Sequence, residues 1–219
     1  MKVNFSYNLD KDIQNFLIGK KSVGGREHPS RLQKLYEEKN GPEVDTENLR
    51  KFIIIYSEKN KIDFKKRAII FQKAWAEINN EFFYRTEKIF QTKLPTENIT
   101  GYLTVNDRCG YNPGQNGQWY FFITAGCQQP RRLCAHEIFH FFTHLCFEKW
   151  LRNEVGLTPK EFYDLKESLN EILNCEFADL LDGSDKPNSE YQIPIRQKIK
   201  ELWQKEKDIK KVVEKMIKK

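Results

Sequence analysis

Two histidines four residues apart, with a glutamate directly after the first, are the part of this sequence whose chemistry can be inferred most directly. The segment Cys134–His140 reads CAHEIFH, so His136, Glu137 and His140 form an uninterrupted HExxH pattern. On a helix, positions i and i+4 lie on one face, and the two imidazoles can then bind a single metal ion. Glu137 would lie beside the open coordination position, where it could act as a general base. The pattern therefore predicts a zinc site with its own base.

This pattern resembles that of the zincin metallopeptidases. The resemblance implies that zinc polarises the scissile carbonyl and that Glu137 accepts a proton from the zinc-bound water. A catalytic zinc site usually has three protein ligands, so a third is still needed. His144 continues the histidine series, but eight residues climb about 12 Å along a helix axis, which is too far for a shared ion. The chain also lacks the glycine of the longer HExxHxxGxxH pattern.

A second helix offers candidates for the third ligand. It is predicted to begin after Thr158 and to span about residues 159–181, with Glu167 and Glu171 one turn apart on the same face. This resembles the gluzincin arrangement, in which a glutamate on a second helix binds zinc and an acidic residue four positions later orients a histidine ligand. The resemblance makes Glu167 the third ligand and Glu171 the orienting residue. Glu171 and Glu176 remain alternative ligands, and a solvated helix face is the competing interpretation of these carboxylates.

The side chain that would stabilise the oxyanion has four candidates. In peptidases of the class that this chain resembles, a Tyr, His or Arg outside the HExxH pattern does this. Tyr191, Arg196, Tyr163 and His144 all have plausible positions in the sequence. Tyr191 is preferred because it follows the predicted ligand helix by one loop.

The remaining elements predict an α+β fold. Apolar residues recurring every three or four positions predict a long core helix over residues 63–90. Residues 99–105 and 119–124 are typical of strands of a small mixed sheet, with a turn at 112–117 between them. Residues 99–105 are the preferred edge strand for an extended peptide substrate. Core helix, strands, HExxH helix and ligand helix follow in the order expected of a zincin-like catalytic unit.

Three segments are predicted, which together form one compact domain. Residues 1–60 are an N-terminal α/β elaboration, residues 61–195 the catalytic unit, and residues 196–219 a C-terminal amphipathic helix that packs on the domain. The N-terminal segment is predicted to contain, in order, a strand at 2–7, a short helix near 10–18, a loop at 24–29 and an apolar run of undecided structure at 52–56.

Composition limits the environment and the partners. The net charge of +6 is spread over the chain rather than concentrated in a stripe, so nucleic-acid binding is not expected. No apolar run approaches 18 residues, and the N-terminus lacks the apolar region of a signal peptide, which predicts a cytoplasmic protein without a membrane span. Five cysteines without a CxxC pair predict buried thiols that form no disulfide.

Two alternatives to a general zinc peptidase remain. The order HExxH, His144, then Glu176 and Phe177 is similar to that of the ImmA/IrrE peptidases, which implies cleavage of a cytoplasmic repressor. Four residues before Phe177, where that family has its ligand glutamate, this chain has Leu173. The other alternative is a non-catalytic interaction module built on the same fold. A peptide or protein is the expected partner in each case, and the sequence predicts no oligomeric state.

Overall fold

The computed structural model of the protein describes residues 1–20 and 30–218, so the loop predicted at 24–29 lies outside the described residues. The described part is α+β and mostly helical, with a small mixed sheet. Its strands and α-helices, in chain order, are β1 (Lys2–Tyr7), α1 (Leu9–Lys20), α2 (Arg31–Asn40), α3 (Thr46–Lys59), α4 (Phe64–Ala76), α5 (Asn79–Phe90), β2 (Asn98–Thr104), β3 (Tyr111–Pro113), β4 (Trp119–Thr124), α6 (Pro130–Thr143), α7 (Pro159–Leu169), α8 (Glu171–Glu176), α9 (Gln192–Glu206) and α10 (Ile209–Ile217).

These elements belong to two compact units that alternate along the chain. The sheet unit comprises Lys2–Trp75 and Asn98–Gln128, and the helical unit comprises Met1, Ala76–Glu97 and Gln129–Lys219. The HExxH segment lies in the helical unit. The boundaries expected at residues 60 and 195 remain predictions.

The sheet unit contains a four-stranded sheet in the order β1, β2, β4, β3. The pairs β1–β2 and β2–β4 are parallel, and β3–β4 is antiparallel. Strands β1, β2 and β4 confirm the strands predicted at 2–7, 99–105 and 119–124. The preference for residues 99–105 as an edge strand is wrong, because β2 pairs with β1 on one side and with β4 on the other. The turn predicted at 112–117 contains part of β3 and a short 3-10 helix at Gln115–Gly117.

The helices of the sheet unit enclose a separate apolar core. The run at 52–56, whose structure the sequence left open, lies inside α3. Helix α1 confirms the short helix expected near residues 10–18. Buried residues from α1, α2 and α3, with the residue that follows β2, form the core: Ile13, Phe16, Leu32, Tyr36, Leu49, Ile53 and Val105.

The long core helix predicted over residues 63–90 is in fact two helices. Helix α4 ends at Ala76 and α5 begins at Asn79. Between them, Ile78 has φ −113° and ψ −11°, away from the usual helical values near −63° and −42°, so the hydrogen-bond ladder is interrupted. Apolar periodicity continues through this break, which is why the sequence pattern did not predict it.

Aromatic side chains hold α6 in the centre of the helical unit. The Phe90 ring on α5 lies 4.8 Å from that of Phe139 and 5.3 Å from that of Phe142, between ring centroids. All residues from Cys134 to Thr143 are buried. Two histidines and a glutamate therefore lie inside an apolar helix, where unpartnered polar groups would be costly. Their partners determine what this helix can do.

The C-terminal segment is two helices rather than the single one predicted. Helix α9 starts at Gln192 and ends at Glu206, and the next residue, Lys207, has a φ of 48° that turns the chain before α10. Asp208 then caps α10, since its side chain accepts hydrogen bonds from the backbone N–H groups of Lys210 and Lys211. Buried Val212 and Val213 confirm that the amphipathic segment packs on its own unit. Among the described residues, no helix has the length and apolar character needed to cross a membrane.

Candidate metal centre

Helix α6 presents both histidines of the HExxH pattern to one point. Pro130 occupies its first turn, and the backbone N–H groups of Arg131 and Arg132 donate to the Asp182 carboxylate at 3.1 and 3.0 Å. Asp182 thus caps the helix from a distant loop. Four residues apart on the inner face, His136 Nε2 and His140 Nε2 lie 3.0 Å from each other. The predicted convergence of the two imidazoles is present.

Glu167 on α7 completes a group of three potential ligands. Its Oε2 lies 3.3 Å from His136 Nε2, and its Oε1 lies 3.3 Å from His140 Nε2. With zinc bonds of about 2.0 to 2.1 Å, tetrahedral geometry would separate ligand atoms by about 3.3 Å, so the observed spacing and the N/O donor set fit zinc. One ligand atom from each of the three residues lies within 4.8 Å of the others. These residues could hold a metal ion and leave a fourth position open.

The start of α7 explains why Glu167 reaches this point. The Thr158 hydroxyl accepts a hydrogen bond from the N–H of Glu161, and the Glu161 carboxylate accepts one from the N–H of Thr158. Pro159 occupies the first turn. This capping box fixes where the helix begins, which is after Thr158 as the sequence predicted. It thereby sets which residues of α7 face His136 and His140.

A carboxylate from a loop orients His136. Asp185 Oδ1 lies 2.8 Å from His136 Nδ1 and can accept its N–H, which leaves the Nε2 lone pair for a metal. The Asp185 side chain is fully buried and is held by Arg196, whose Nη1 donates to Oδ2 at 3.0 Å. Burial alone would lower the pKa of His136, but Asp185 and Glu167 outweigh it and raise that pKa to about 10. A metal would have to displace the extra proton from His136.

His140 and Glu137 have different protonation environments. Burial lowers the pKa of His140 to about 3, and the nearby Lys166 ammonium adds to the effect, so the imidazole is neutral. Burial raises the pKa of Glu137 to about 7, against the lowering effect of His136 and Lys166. A carboxyl that titrates near neutrality is suited to accept a proton and release it again.

The residue predicted to orient a histidine, Glu171, does something else. Its carboxylate accepts hydrogen bonds from Arg196 Nε at 2.9 Å and from Asn174 Nδ2 at 3.0 Å. The predicted helix over 159–181 ends at Leu169, so Glu171 begins α8 instead of lying one turn above Glu167. Asn170, at the junction, has its side-chain amide nitrogen 2.9 Å from His136 Nδ1. The assignment of Glu171 is therefore corrected to Asp185, which Glu171 supports through Arg196.

Glu176, the other alternative ligand, also lies away from the cluster. It accepts hydrogen bonds from Trp203 Nε1 at 2.7 Å and from Lys207. The structure brings Glu167, and neither alternative, to the two histidines.

The candidate oxyanion stabilisers have other partners in the structure. The Tyr191 hydroxyl donates to Asp164, and Arg196 binds Asp185 and Glu171. His144 Nδ1 lies 2.8 Å from Glu148 Oε2, which places it beside the site and outside the cluster, as its i+8 position predicted. The role predicted for Tyr191 stays a prediction.

Sequence reasoning missed the loop between α8 and α9. Three of its polar residues, spaced three apart, reach the site: Asp182 caps α6, Asp185 contacts His136, and Asn188 Nδ2 donates to Glu167 Oε2 at 2.9 Å. The spacing of Asp182, Asp185 and Asn188 was the available signal. This loop therefore contacts the start of α6 and two of the three candidate ligands, His136 and Glu167.

Replacing Asp185 by Asn is expected to weaken zinc binding by about 10- to 100-fold, the usual effect of losing a carboxylate that orients a histidine ligand. Competition with a chelator of known affinity measures this. Asp182→Asn keeps the loop and changes only the cap, so it serves as the control. Equal zinc affinity in Asp185→Asn and wild type would contradict the orienting role.

Comparison with protein-family models, with curated proteins and with solved structures gave no match for this chain.

Proposed function

We propose that the protein is a zinc-dependent metallopeptidase with a zincin-like, gluzincin-type catalytic unit. One observation carries the proposal: His136 Nε2, His140 Nε2 and the Glu167 carboxylate converge at separations of 3.0 to 3.3 Å. Glu137 directly follows the first of these residues in the sequence. Two imidazoles and one carboxylate are the ligand set of several zinc peptidases. Glu137 takes part in none of the three contacts between these groups, so its carboxylate remains available for proton transfer.

The chain's own residues would divide the work of hydrolysis. Zinc held by His136, His140 and Glu167 would supply Lewis acidity and a water of lowered pKa. The Glu137 carboxylate accepts the proton of the attacking water and delivers it to the nitrogen of the departing amine. Asp185 keeps His136 in the tautomer whose Nε2 faces the cluster. Hydrolysis of a peptide bond consumes only water and needs no redox partner.

A peptide or protein substrate in the cytoplasm is part of this proposal. None of the five cysteines forms a disulfide in the structure, which suits a reducing compartment. The burial predicted for the cysteines is correct only for Cys134, because the other four are partly exposed.

A non-catalytic module with a structural zinc ion is the second candidate, because the cluster is nearly closed to solvent. The exposed fraction is 11% for the His136 side chain, 2% for His140 and 6% for Glu167. Structural zinc sites are closed, whereas catalytic sites keep one position for water or substrate. Metal content alone does not separate the two candidates, but peptide hydrolysis does.

The test is digestion of a complex peptide mixture by purified protein, followed by mass spectrometry. We expect about one zinc per chain, new peptide termini, at least about a hundredfold less cleavage after chelation, and recovery when zinc is added. A protein that carries zinc and cleaves no peptide would favour the second candidate, the non-catalytic module with a structural zinc ion. Cleavage that survives complete metal removal would contradict the proposal.

A further inference from the structure

Lys166, next to the candidate ligand Glu167, is almost completely buried. Its side chain is 2% exposed, and its Nζ donates to Glu167 Oε1 at 2.5 Å. Lysine is rarely buried to this extent without a paired charge. The ammonium also lies 5.0 Å from the centre of the Tyr163 ring. A positive charge is therefore built into the cluster that would hold a metal cation.

The ammonium and a metal ion would need the same carboxylate. Glu167 Oε1, which accepts from Lys166, is also the oxygen that lies 3.3 Å from His140 Nε2. The other oxygen, Oε2, accepts from Asn188 and faces His136. Two cations on one buried carboxylate repel each other strongly, because little solvent screens them.

We propose that Lys166 is an internal counter-ion that competes with the metal ion for Glu167. The inference rests on the metal site proposed above and concerns how its occupancy is regulated. Without metal, the ammonium neutralises the buried Glu167 carboxylate. When metal binds, the Lys166 hydrogen bond to Oε1 is given up, so affinity falls to a level at which metal supply controls occupancy.

A lysine on the same helix provides an internal comparison. Lys160 Nζ pairs with Asp164 Oδ2 at 2.8 Å, but the Lys160 side chain is 55% exposed. Solvent screens an ammonium that is exposed to this extent, so the pair contributes less to stability than a fully buried one. Removal of Lys160 deletes the same kind of charge from the same helix without touching Glu167. Lys160→Met is thus the matched control for Lys166→Met.

The test measures zinc affinity by chelator competition in wild type, Lys166→Met, Lys166→Gln and Lys160→Met. In Lys166→Met, a hydrogen bond between charged groups no longer has to be broken, which corresponds to at least about a tenfold gain in zinc affinity. Lys166→Gln removes the positive charge alone and should also bind zinc more tightly than wild type. Lys160→Met should stay within about twofold of wild type. Lys166→Gln keeps an N–H donor for Glu167 and removes only the charge. Its zinc affinity can therefore be measured even if Lys166→Met does not fold without zinc.

Thermal unfolding gives a second readout. Without zinc, Lys166→Met should melt below wild type because Glu167 has lost its counter-ion, and zinc should raise its melting temperature by more than it raises that of wild type. If Lys166 were purely structural, its replacement would lower the melting temperatures of the zinc-free and zinc-bound proteins equally and leave zinc affinity unchanged. That result would overturn the inference.

The outcomes separate the two proposals. Zinc bound with equal affinity by wild type and both Lys166 variants overturns the counter-ion role and leaves the metal site intact. If only the Lys166 variants bind zinc, the Lys166 ammonium excludes the metal ion from Glu167 completely in wild type, which supports the counter-ion role. Absence of zinc binding in all four proteins overturns the metal site and the counter-ion role with it.

Discussion

The Glu137→Gln variant is expected to keep its zinc and to hydrolyse peptides at least about a hundredfold more slowly than wild type. The amide has nearly the shape of the carboxyl but cannot accept the proton of the attacking water, and a positioned general base contributes about 100- to 10,000-fold. Glu137 makes none of the three contacts of the candidate ligand set. Zinc content and the initial rate on any substrate found for wild type measure the two effects separately.

An exposed glutamate of the same unit controls for the chemistry of the substitution. Glu201 on α9 is exposed and accepts a hydrogen bond from Gln197, so Glu201→Gln should change neither zinc content nor rate. Unchanged turnover in Glu137→Gln would remove this residue from the mechanism. Lost zinc in the same variant would indicate that Glu137 is needed to assemble the metal site, and its role would have to be reassigned.

The parts of the fold that the sequence predicted correctly depend on local interactions. The capping box at Thr158 and Glu161 acts within one turn, and the spacing of His136 and His140 depends only on the helix that carries them. Alternating and continuous apolar runs likewise located β1, β2 and β4. Such signals need no knowledge of what lies across the fold.

The parts that the sequence did not predict depend on contacts between distant residues. Helix α7 ends at Leu169 without a glycine or proline, and Asn170 follows it with its side chain at His136. The assignment of Glu171 failed at this point, because it assumed one uninterrupted helix. Asp185 lies 49 residues from His136 in the loop between α8 and α9, so only the path of the chain brings them together.

Lys166 illustrates a limit of residue type as a guide to burial. A lysine on an amphipathic helix is ordinarily assigned to the solvated face. Here its charge is compensated by Glu167, and the pair is buried together. Burial of both is possible because each charge offsets part of the desolvation cost of the other, which no pattern of apolar residues reveals.

Replacing either His136 or His140 by Ala is expected to abolish stoichiometric zinc binding. Each substitution leaves two protein ligands of the three that converge at the cluster, and two ligands hold zinc poorly. In this helix the imidazoles are buried, so their removal also opens space beside Glu167. Zinc per chain after dialysis, measured by elemental analysis, should fall from about one to near zero in both variants.

His144→Ala is the matched control for this prediction. His144 belongs to the same i, i+4 series, but its Nδ1 pairs with Glu148, and it is not one of the three residues whose ligand atoms converge. Its removal should therefore leave about one zinc per chain. Retention of zinc by both His136→Ala and His140→Ala would show that any bound metal lies elsewhere. Loss of zinc from all three variants, with unfolding seen by circular dichroism, would mean that the substitutions disrupt α6 itself. The expected result is that His136→Ala and His140→Ala fold without zinc and that His144→Ala keeps it. That result assigns the metal to the two histidines that face Glu167.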